Sequence, residues 1–221
     1  MMGRTHALTG TGAGLGISLY LAHLPLVPTV FGTLICTGSA LLPDMDHPRA
    51  TAANTFGPLT RTMSWAVRTV SGGHRRGTHS LLGIMALGGV MLAGVEYRHT
   101  VPAQVALSVV LILALASLVR LLKIPGIFDD LLPIPVVVGL VSFTNVSLVV
   151  VPWAVMLGCL THALGDYLTL EGCPWLWPLS QKNFKLALFK TNGITERYVI
   201  LPLVTIGIFA ELFWRVLDTA R

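Results

Sequence analysis

The chain contains few charged residues. Asp, Glu, Lys and Arg make up 11% of its 221 residues, whereas hydrophobic residues make up 53%. A soluble globular domain usually carries about 25% charged residues, because it needs them to cover its surface. The low charge and the mean hydropathy of +0.74 exclude an ordinary soluble domain and indicate an integral membrane protein.

Cysteine is also scarce, and two familiar sequence motifs are absent. The three cysteines, Cys36, Cys159 and Cys173, show no CxxC spacing and give no information on the redox compartment. The absence of HExxH disfavours a metallopeptidase. No A-x-A-like cleavage site follows the first apolar run, so we expect this run to be a retained helix rather than a removed signal peptide.

Seven apolar runs approach the length of about 20 residues that a helix needs to cross a bilayer. They lie at roughly 7–24, 26–43, 80–96, 101–121, 133–150, 152–168 and 198–216. Ser142, Asn145 and Ser147 predict a turn between the fifth and sixth runs, and Pro152 suits the start of the next helix. The sequence therefore predicts an all-α membrane bundle of about seven spans, with six as the alternative, in one integral membrane domain over 1–221.

Basic residues are distributed unevenly between the two faces of this predicted bundle. Alternating spans bring the N-terminus and the polar segments 44–79, 122–132 and 169–197 to one face. Twelve of the 15 basic residues lie there: Arg4, Arg49, Arg61, Arg68, Arg75, Arg76, Arg120, Lys123, Lys182, Lys185, Lys190 and Arg197. The positive-inside rule predicts that this face is cytoplasmic, in the inner membrane of a prokaryote. Membrane lipid, rather than nucleic acid, is then the expected anionic partner.

Ionisable residues near the predicted spans are concentrated at this same face. Such residues are costly in a membrane and mark functional sites. The first span begins near His6, and the sixth ends with His162 and Asp166. The second ends at Pro43-Asp44-Met45-Asp46-His47-Pro48, and the third is preceded by Gly73-His74-Arg75-Arg76-Gly77-Thr78-His79-Ser80. Their convergence predicts a metal site of His and Asp side chains at this face.

Spacing supports this interpretation but leaves alternatives open. His162 and Asp166 are four residues apart and share one face of a helix, where they could bind one ion or form an ordinary capped helix end. Asp44 and Asp46 flank a single residue, so their carboxylates repel unless a cation or a proton lies between them. A solvated loop is the alternative for that pair.

The side-chain types of the candidate ligands limit which metal ions could bind and which reactions they would support. Imidazole and carboxylate without thiolate suit zinc, manganese or iron, and seven candidate ligands exceed the needs of one four-coordinate ion. Paired ions are typical of phosphoester hydrolysis. Arg75 and Arg76 could neutralise a phosphoryl group, or they could anchor a helix end to lipid headgroups.

The segments PDMDHP at 43–48 and HRRGTHS at 74–80, with HxxxD at 162–166, resemble the motifs of the YdjM-like family of inner-membrane metal-dependent hydrolases. The resemblance covers nearly the whole chain, and the first two motifs are its specific part. The family is distantly similar to zinc-dependent phospholipase C and the P1-type nucleases. The resemblance implies the following metal ligands: His6, Asp44, Asp46, His74, His79, His162 and Asp166. It also allows Asp46 to act instead as a general base.

Several other residues have simpler interpretations. The pairs Gly10/Gly14 and Gly12/Gly16 have the spacing of close helix packing and follow no strand, which disfavours a dinucleotide loop. His47 could be an eighth ligand, but a histidine before proline in a turn is more often structural. Trp175 and Trp177 predict a loop at the membrane surface, with contact to an acyl chain as the alternative. Glu196 could join the site. We expect a solvated loop at Asp129 and Asp130, and interfacial positions for His23 and His99.

From these observations we expect a membrane-embedded metal-dependent hydrolase that cleaves a phosphoester of a lipid or lipid-linked phosphate. A soluble nucleotide is the alternative substrate. The first alternative is a transporter or metal-handling membrane protein, which would place its ligands near the midplane of the bilayer and usually contains repeated halves, whereas the candidates here cluster at helix ends. The second is a non-catalytic membrane adaptor with a structural metal, which would need a coordinatively closed site, and the sequence does not show the coordination number.

Overall fold

The computed structural model describes residues 1–21, 23–123, 131–143 and 148–219, and within these ranges the chain is helical without any strand. Its α-helices are α1 (Gly3–Gly16), α2 (Leu26–Ser39), α3 (Pro58–Val70), α4 (Leu81–Glu96), α5 (Val101–Leu121), α6 (Pro133–Phe143), α7 (Val150–Tyr167) and α8 (Leu201–Thr219). Short 3-10 turns lie at Pro43–Asp46, Ala52–Asn54 and Gly77–His79, and π-helical turns at Ile17–Leu21 and Glu196–Ile200. The prediction of an all-α protein is confirmed.

Three described helical stretches are long and apolar enough to cross a membrane, fewer than the seven that the sequence predicted. They are Leu26–Asp46, Val101–Leu121 and Glu196–Arg215. The other helices fall short for physical reasons. α1 and α4 have 14 and 16 residues, against about 20 for a full crossing. α7 has 18 residues, but His162 and Asp166 near its end reduce its hydropathy.

Some of the predicted features fall outside the described residues. α6 covers 11 residues of the predicted run 133–150, and Ser142 lies within it rather than in a turn. Asn145 and Ser147, the other residues of the predicted turn, lie outside the described residues, as do Asp129 and Asp130. The remaining apolar runs each overlap a described helix.

The predicted polar segment 44–79 contains a helix, α3, that the sequence analysis missed. Pro58 occupies its first turn, where proline is well tolerated. Leu59, Met63 and Val67 follow at intervals of four residues and so lie along one stripe of the helix. This spacing was visible in the sequence, but the many polar residues between them made the segment look like a loop.

Small residues bring the backbones of α1, α2 and α7 into contact. A Cβ atom added at Gly10 would lie 2.9 Å from the Cβ of Ala40 and 3.0 Å from the carbonyl oxygen of Cys36. One added at Gly14 would lie 3.0 Å from the Cα of Thr33, and one at Gly158 of α7 would lie 2.8 Å from the Cβ of Ser39. Gly10 and Gly14 therefore pack helices together, as their spacing predicted.

This close packing determines which helix ends meet. α1 and α4 begin, and α2 and α7 end, at the same end of the bundle, so the candidate ligands of all four converge there. The segment 168–195 adds an irregular cover with two isolated bridges, between Thr169 and Phe189 and between Cys173 and Phe184.

We expect Gly10→Ala to lower the free energy of unfolding by about 1–3 kcal/mol, because its new methyl group enters an already filled contact with α2. Gly89→Ala is the matched control, since Gly89 is exposed on α4 with nothing within 4 Å of an added Cβ, and alanine favours a helix. Thermal unfolding in detergent, followed by tryptophan fluorescence, measures both. Equal unfolding midpoints for the two variants would contradict the packing described above.

Candidate metal centre

The imidazole of His162, near the end of α7, is held in one orientation by the backbone of the neighbouring chain segment. Its Nδ1 lies 2.7 Å from the carbonyl oxygen of Ala40, just beyond α2. A carbonyl only accepts, so Nδ1 carries the proton and donates it. The Nε2 atom is therefore unprotonated in the neutral ring, and its lone pair faces the candidate site. A backbone carbonyl that orients an imidazole in this way is typical of metal-ligating histidines.

A second imidazole is oriented by a relay of hydrogen bonds. The Thr78 hydroxyl donates to Oδ2 of Asp46 at 2.6 Å, so it must accept from Nδ1 of His79, which lies 2.9 Å away. The Nε2 atom of His79 is then also unprotonated. We assign both tautomers from the hydrogen-bond partners.

The two unprotonated nitrogens face each other beside a carboxylate. Nε2 of His79 and Nε2 of His162 are 3.1 Å apart, and Oδ1 of Asp44 lies 3.5 Å and 3.7 Å from them. Two lone pairs at that separation repel unless a proton or a cation lies between them. Ligands about 2.0 Å from a tetrahedral zinc ion are about 3.3 Å apart, which is close to these spacings. The three atoms therefore fit one ion, and Oδ2 of Asp166, 3.7 Å and 3.8 Å from the same two nitrogens, lies near enough to be a fourth ligand.

Two further groups overlap with this one. His6, His162 and Asp166 form a fully buried group, whereas Asp44, Asp46 and His74 form a more open group. Because His162 and Asp44 each belong to two groups, the arrangement can hold more than one ion through shared ligands. All seven residues that the sequence analysis selected as candidate ligands lie in these groups. Whether they bind a metal stays a prediction.

The buried group contains polar atoms without a hydrogen-bond partner among the described residues. They are Nδ1 and Nε2 of His6 and Oδ2 of Asp166. Nε2 of His6 lies 3.4 Å from Oδ1 of Asp166, and its ring stacks on that of His162 with centroids 3.7 Å apart. Buried polar atoms without a hydrogen bond are costly. Oδ2 of Asp166 is compensated by an ion pair with Arg75 at 3.2 Å, whereas the ring nitrogens of His6 have no hydrogen bond, and a cation would satisfy one of them together with the carboxylate. The donor set therefore fits a divalent metal.

Asp46 is fully buried and engaged on both oxygens. His74 Nδ1 lies 2.7 Å from Oδ1, and Oδ2 accepts from the hydroxyl of Thr78 and from the backbone N–H of Arg75 at 3.1 Å. Arg75 has a φ of 55°, which is uncommon for a residue other than glycine. Its unusual backbone conformation is thus tied to the charge of Asp46.

The two neighbouring arginines point in different directions. The guanidinium of Arg75 lies 3.2 Å from Oδ2 of Asp166 and 3.6 Å from Oε2 of Glu171. Arg76 instead donates to Oε1 of Gln181 at 2.5 Å, away from the candidate ligands. The sequence analysis grouped them together, but only Arg75 contacts the site.

The site opens to the surface on one side. Asp44 and His74 are 27% and 28% exposed, whereas His79 and His162 are completely buried. A small molecule could therefore reach Asp44 and His74 from the surface, whereas the two buried imidazoles are reached only past them.

Two residues that the sequence left undecided lie outside the three groups. Glu196 is buried and accepts from the backbone N–H groups of Met2 and Asn192, at 2.6 Å and 2.7 Å, so it fixes the N-terminus and the loop before α8. His47 packs its ring edge against His74 with centroids 4.6 Å apart. Partial burial and the neighbouring His74 lower the pKa of His47, which suits a neutral structural imidazole.

Sequence reasoning missed the groups that orient the ligands. Thr78 lies within the HRRGTHS motif, so its position next to His79 was an available clue. Cys173 was not recognisable, because its thiol donates to the backbone oxygen of His79 at 2.9 Å from a distant loop. Burial raises the pKa of the Cys173 thiol to about 12, so it remains a protonated donor.

Comparison with known proteins identifies one family. The sequence model of the family described as YdjM inner membrane protein matches residues 1–218. No curated protein and no solved structure matches the chain. The match includes every segment that contributes a residue to the three groups.

Replacing His162 tests whether this arrangement binds metal. We expect the detergent-purified wild type, dialysed against zinc and desalted, to retain at least one equivalent of zinc, and His162→Ala and Asp44→Asn each to lose it. His99→Ala, at an exposed histidine beyond α4, should retain the wild-type content. Elemental analysis gives the stoichiometry. Equal zinc in the His162 and His99 variants would contradict the assignment.

Thr78 tests the relay that orients His79. We expect Thr78→Val to weaken zinc binding about 10–100-fold, because the orientation of His79 and Asp46 is lost. Thr78→Ser keeps the hydroxyl and should stay close to wild type. Competition with a zinc-binding dye measures the affinities, and equal affinity of the valine and serine variants would show that the relay is unimportant.

Proposed function

The chain belongs to the YdjM inner membrane protein family, whose model matches residues 1–218, and from this premise we propose that it is a membrane-embedded, metal-dependent phosphoesterase. The proposed substrate is a lipid or lipid-linked phosphate. The observation that carries the proposal is the pair of Nε2 atoms of His79 and His162, 3.1 Å apart beside Asp44.

The donor set supports zinc, with manganese or iron as alternatives, because it consists of imidazole and carboxylate groups. Asp44, His79 and His162 would hold one ion, and His6, Asp166, Asp46 and His74 extend the site to further ions. A divalent ion at such a site supplies a Lewis acid and lowers the pKa of bound water. The exposed side of Asp44 is where a phosphoester would approach.

Neighbouring protein groups orient the candidate ligands and place a positive charge beside them. The Ala40 carbonyl and the Thr78 hydroxyl keep the Nε2 lone pairs of His162 and His79 directed into it. Arg75 provides a positive charge beside Asp166, which suits it to offset the charge of a phosphoryl group. The contact of Arg76 with Gln181 favours an outer role, such as contact with lipid headgroups.

The hydrogen bonds of Asp46 favour a role as metal ligand over the alternative role as general base. Both of its oxygens are engaged, by His74 on one side and by Thr78 and Arg75 on the other. A general base needs a lone pair directed at the water that it deprotonates. Asp46 is also fully buried and so remote from bulk water. We therefore assign it to the orientation of His74 and, through the second lone pair of Oδ1, to the ligand set rather than to the role of base.

The membrane arrangement is part of the same proposal. Three long apolar stretches cross the bilayer in this proposal, the shorter α1 and α4 are partly embedded beside them, and α3 remains at the surface. The excess of basic residues in the segments around the site supports a cytoplasmic orientation by the positive-inside rule.

Two other functions are less well supported. A transporter would hold its ion between helices near the middle of the bilayer, whereas these ligands lie at helix ends. An adaptor with a structural metal would enclose the ion, whereas Asp44 and His74 are partly exposed.

Phosphate release from phosphatidic acid in mixed micelles tests the proposal, with zinc- or manganese-loaded protein. We expect Asp44→Asn to reduce the rate below detection and Arg75→Ala to reduce it about 10²-fold or more. Arg76→Ala is the matched control and should change the rate by only a few-fold. A protein that binds metal but releases no phosphate from phosphatidic acid, a lipid-linked diphosphate or a nucleotide would contradict the proposal.

A further inference from the structure

A large apolar cavity lies beside the candidate metal centre. Its volume is about 610 Å³, within the range of ligand-binding pockets. Its walls come from α3, α4 and α5, and almost all of the lining is hydrocarbon. The main lining residues include Val67, Val70, Leu82, Leu87 and Leu113.

The cavity and the metal centre share two chain segments as a common wall. Pro43 and Met45 line the cavity, and Met45 separates Asp44 from Asp46 in the sequence. Thr78 also lines the cavity while its hydroxyl binds Asp46 at 2.6 Å. One side of these segments thus provides candidate ligands, or their hydrogen-bond partners, to the metal centre. The other side provides apolar surface to the cavity.

A second apolar cavity, of about 470 Å³, does not share these segments. It is lined mainly by residues of α2 and α7 and of the π-helical turn after α1, among them Ile17, Val150 and Trp153, and it shares only Ile84 of α4 with the first cavity. None of its lining residues belongs to 43–46 or 71–80. It therefore provides an internal comparison, as an apolar space of similar size away from the centre.

The α3 wall of the first cavity has the character of a membrane–water interface. α3 exposes Leu59 and Trp65 at 65% and 68%, and it also carries the exposed basic residues Arg61 and Arg68. A helix with exposed apolar, aromatic and basic residues is suited to the boundary between headgroups and acyl chains. The adjoining wall of the cavity is formed by Ala66 and Val67 of this same helix.

Trp177 connects the cavity to the HRRGTHS segment. It lines the cavity, and its indole lies 3.3 Å and 3.0 Å from the positions that Cβ atoms would occupy at Gly72 and Gly77. Those glycines therefore leave space for the ring. An amphipathic indole at this point suits a boundary where a polar headgroup meets its hydrocarbon chain.

We propose that this cavity binds one hydrocarbon chain of a membrane lipid whose phosphate headgroup reaches the metal centre. The cavity offers almost no polar group to a headgroup, whereas the adjoining centre offers Arg75 and a cation-binding cluster. A molecule that fills both must be apolar at one end and anionic at the other. This inference rests on the proposed function for its headgroup end, but chain binding is measurable without metal or catalysis.

Photocrosslinking with phosphatidic acid that carries a diazirine in one acyl chain tests the inference. The wild-type protein in detergent micelles, stripped of metal with a chelator, is irradiated with the probe, and labelled peptides are mapped by mass spectrometry. We expect the label to concentrate in α3 around 66–70 and in α4 around 82–87, and to be weaker in peptides of the second cavity.

Two variants block the cavity from facing walls. Ala66 and Ala86 both line it and are both exposed, so Ala66→Trp and Ala86→Trp fill the cavity with little disturbance of the core. We expect each to lower labelling of the opposite wall about tenfold or more, because excluding even two methylenes changes affinity by about that factor. Thr62→Trp and Met85→Trp are matched controls at exposed positions outside the cavity, and they should leave the labelling unchanged.

The outcomes separate this inference from the proposed function. Concentrated labelling that only the two blocking variants remove supports chain binding, even if no phosphate is ever released. Labelling spread equally over both cavities, or unchanged in Ala66→Trp and Ala86→Trp, overturns it, even if hydrolysis is observed. For an active protein, we further expect the blocking variants to raise the KM for long-chain phosphatidic acid and to leave that for a short-chain soluble analogue unchanged.

Discussion

Buried carboxylates at one end of a helix bundle impose the strongest constraint on this structure. Asp46 and Asp166 are almost completely inaccessible to solvent, and an ionised carboxylate is costly to bury unless charges and hydrogen bonds compensate it. Asp46 is surrounded by His74, Thr78 and the backbone of Arg75. Asp166 is approached by His6, by the guanidinium of Arg75 and by the amino group of Met1. Most of the polar contacts at this end of the molecule follow from this need for compensation.

The fold satisfies this requirement by bringing helix ends very close together. Gly10, Gly14 and Gly158 let α1, α2 and α7 touch through their backbones, and the loop carbonyl of Ala40 then reaches His162. Larger residues at these glycines would separate the helices and pull the imidazole away from its acceptor. The stacking of His6 on His162 depends on the same close approach, so the glycine packing and the ligand geometry are physically linked.

The candidate ligands could be predicted from the sequence because side-chain type, helix-end position and alternation of spans all indicated the same residues. The groups that orient these ligands were harder to predict from the sequence. The Ala40 carbonyl has no side-chain signature, and Cys173 reaches His79 from about 90 residues away in the chain. The sequence could not distinguish Arg75 from Arg76, because the positive φ of Arg75 and the different partners of the two guanidinium groups arise only in the folded chain.

The prediction of membrane spans was less successful than the prediction of helices. Hydrophobicity located the helical segments well, but counting seven crossings assumed that each segment is a full-length span. α4 is too short to be a full-length span, and the ionisable residues near the end of α7 lower its hydropathy. The amphipathic helix α3 was hidden by its polar residues, and with it the cavity that it covers, since a cavity between three distant segments has no local sequence pattern.

X-ray absorption spectroscopy of the zinc-loaded protein tests most directly whether imidazole and carboxylate groups at this end of the bundle hold a divalent metal. We expect nitrogen and oxygen scatterers at about 2.0–2.1 Å, with the outer-shell pattern of at least two imidazoles and no sulfur at about 2.3 Å. A sulfur ligand, or a spectrum without imidazole scattering, would show that these residues do not hold the metal.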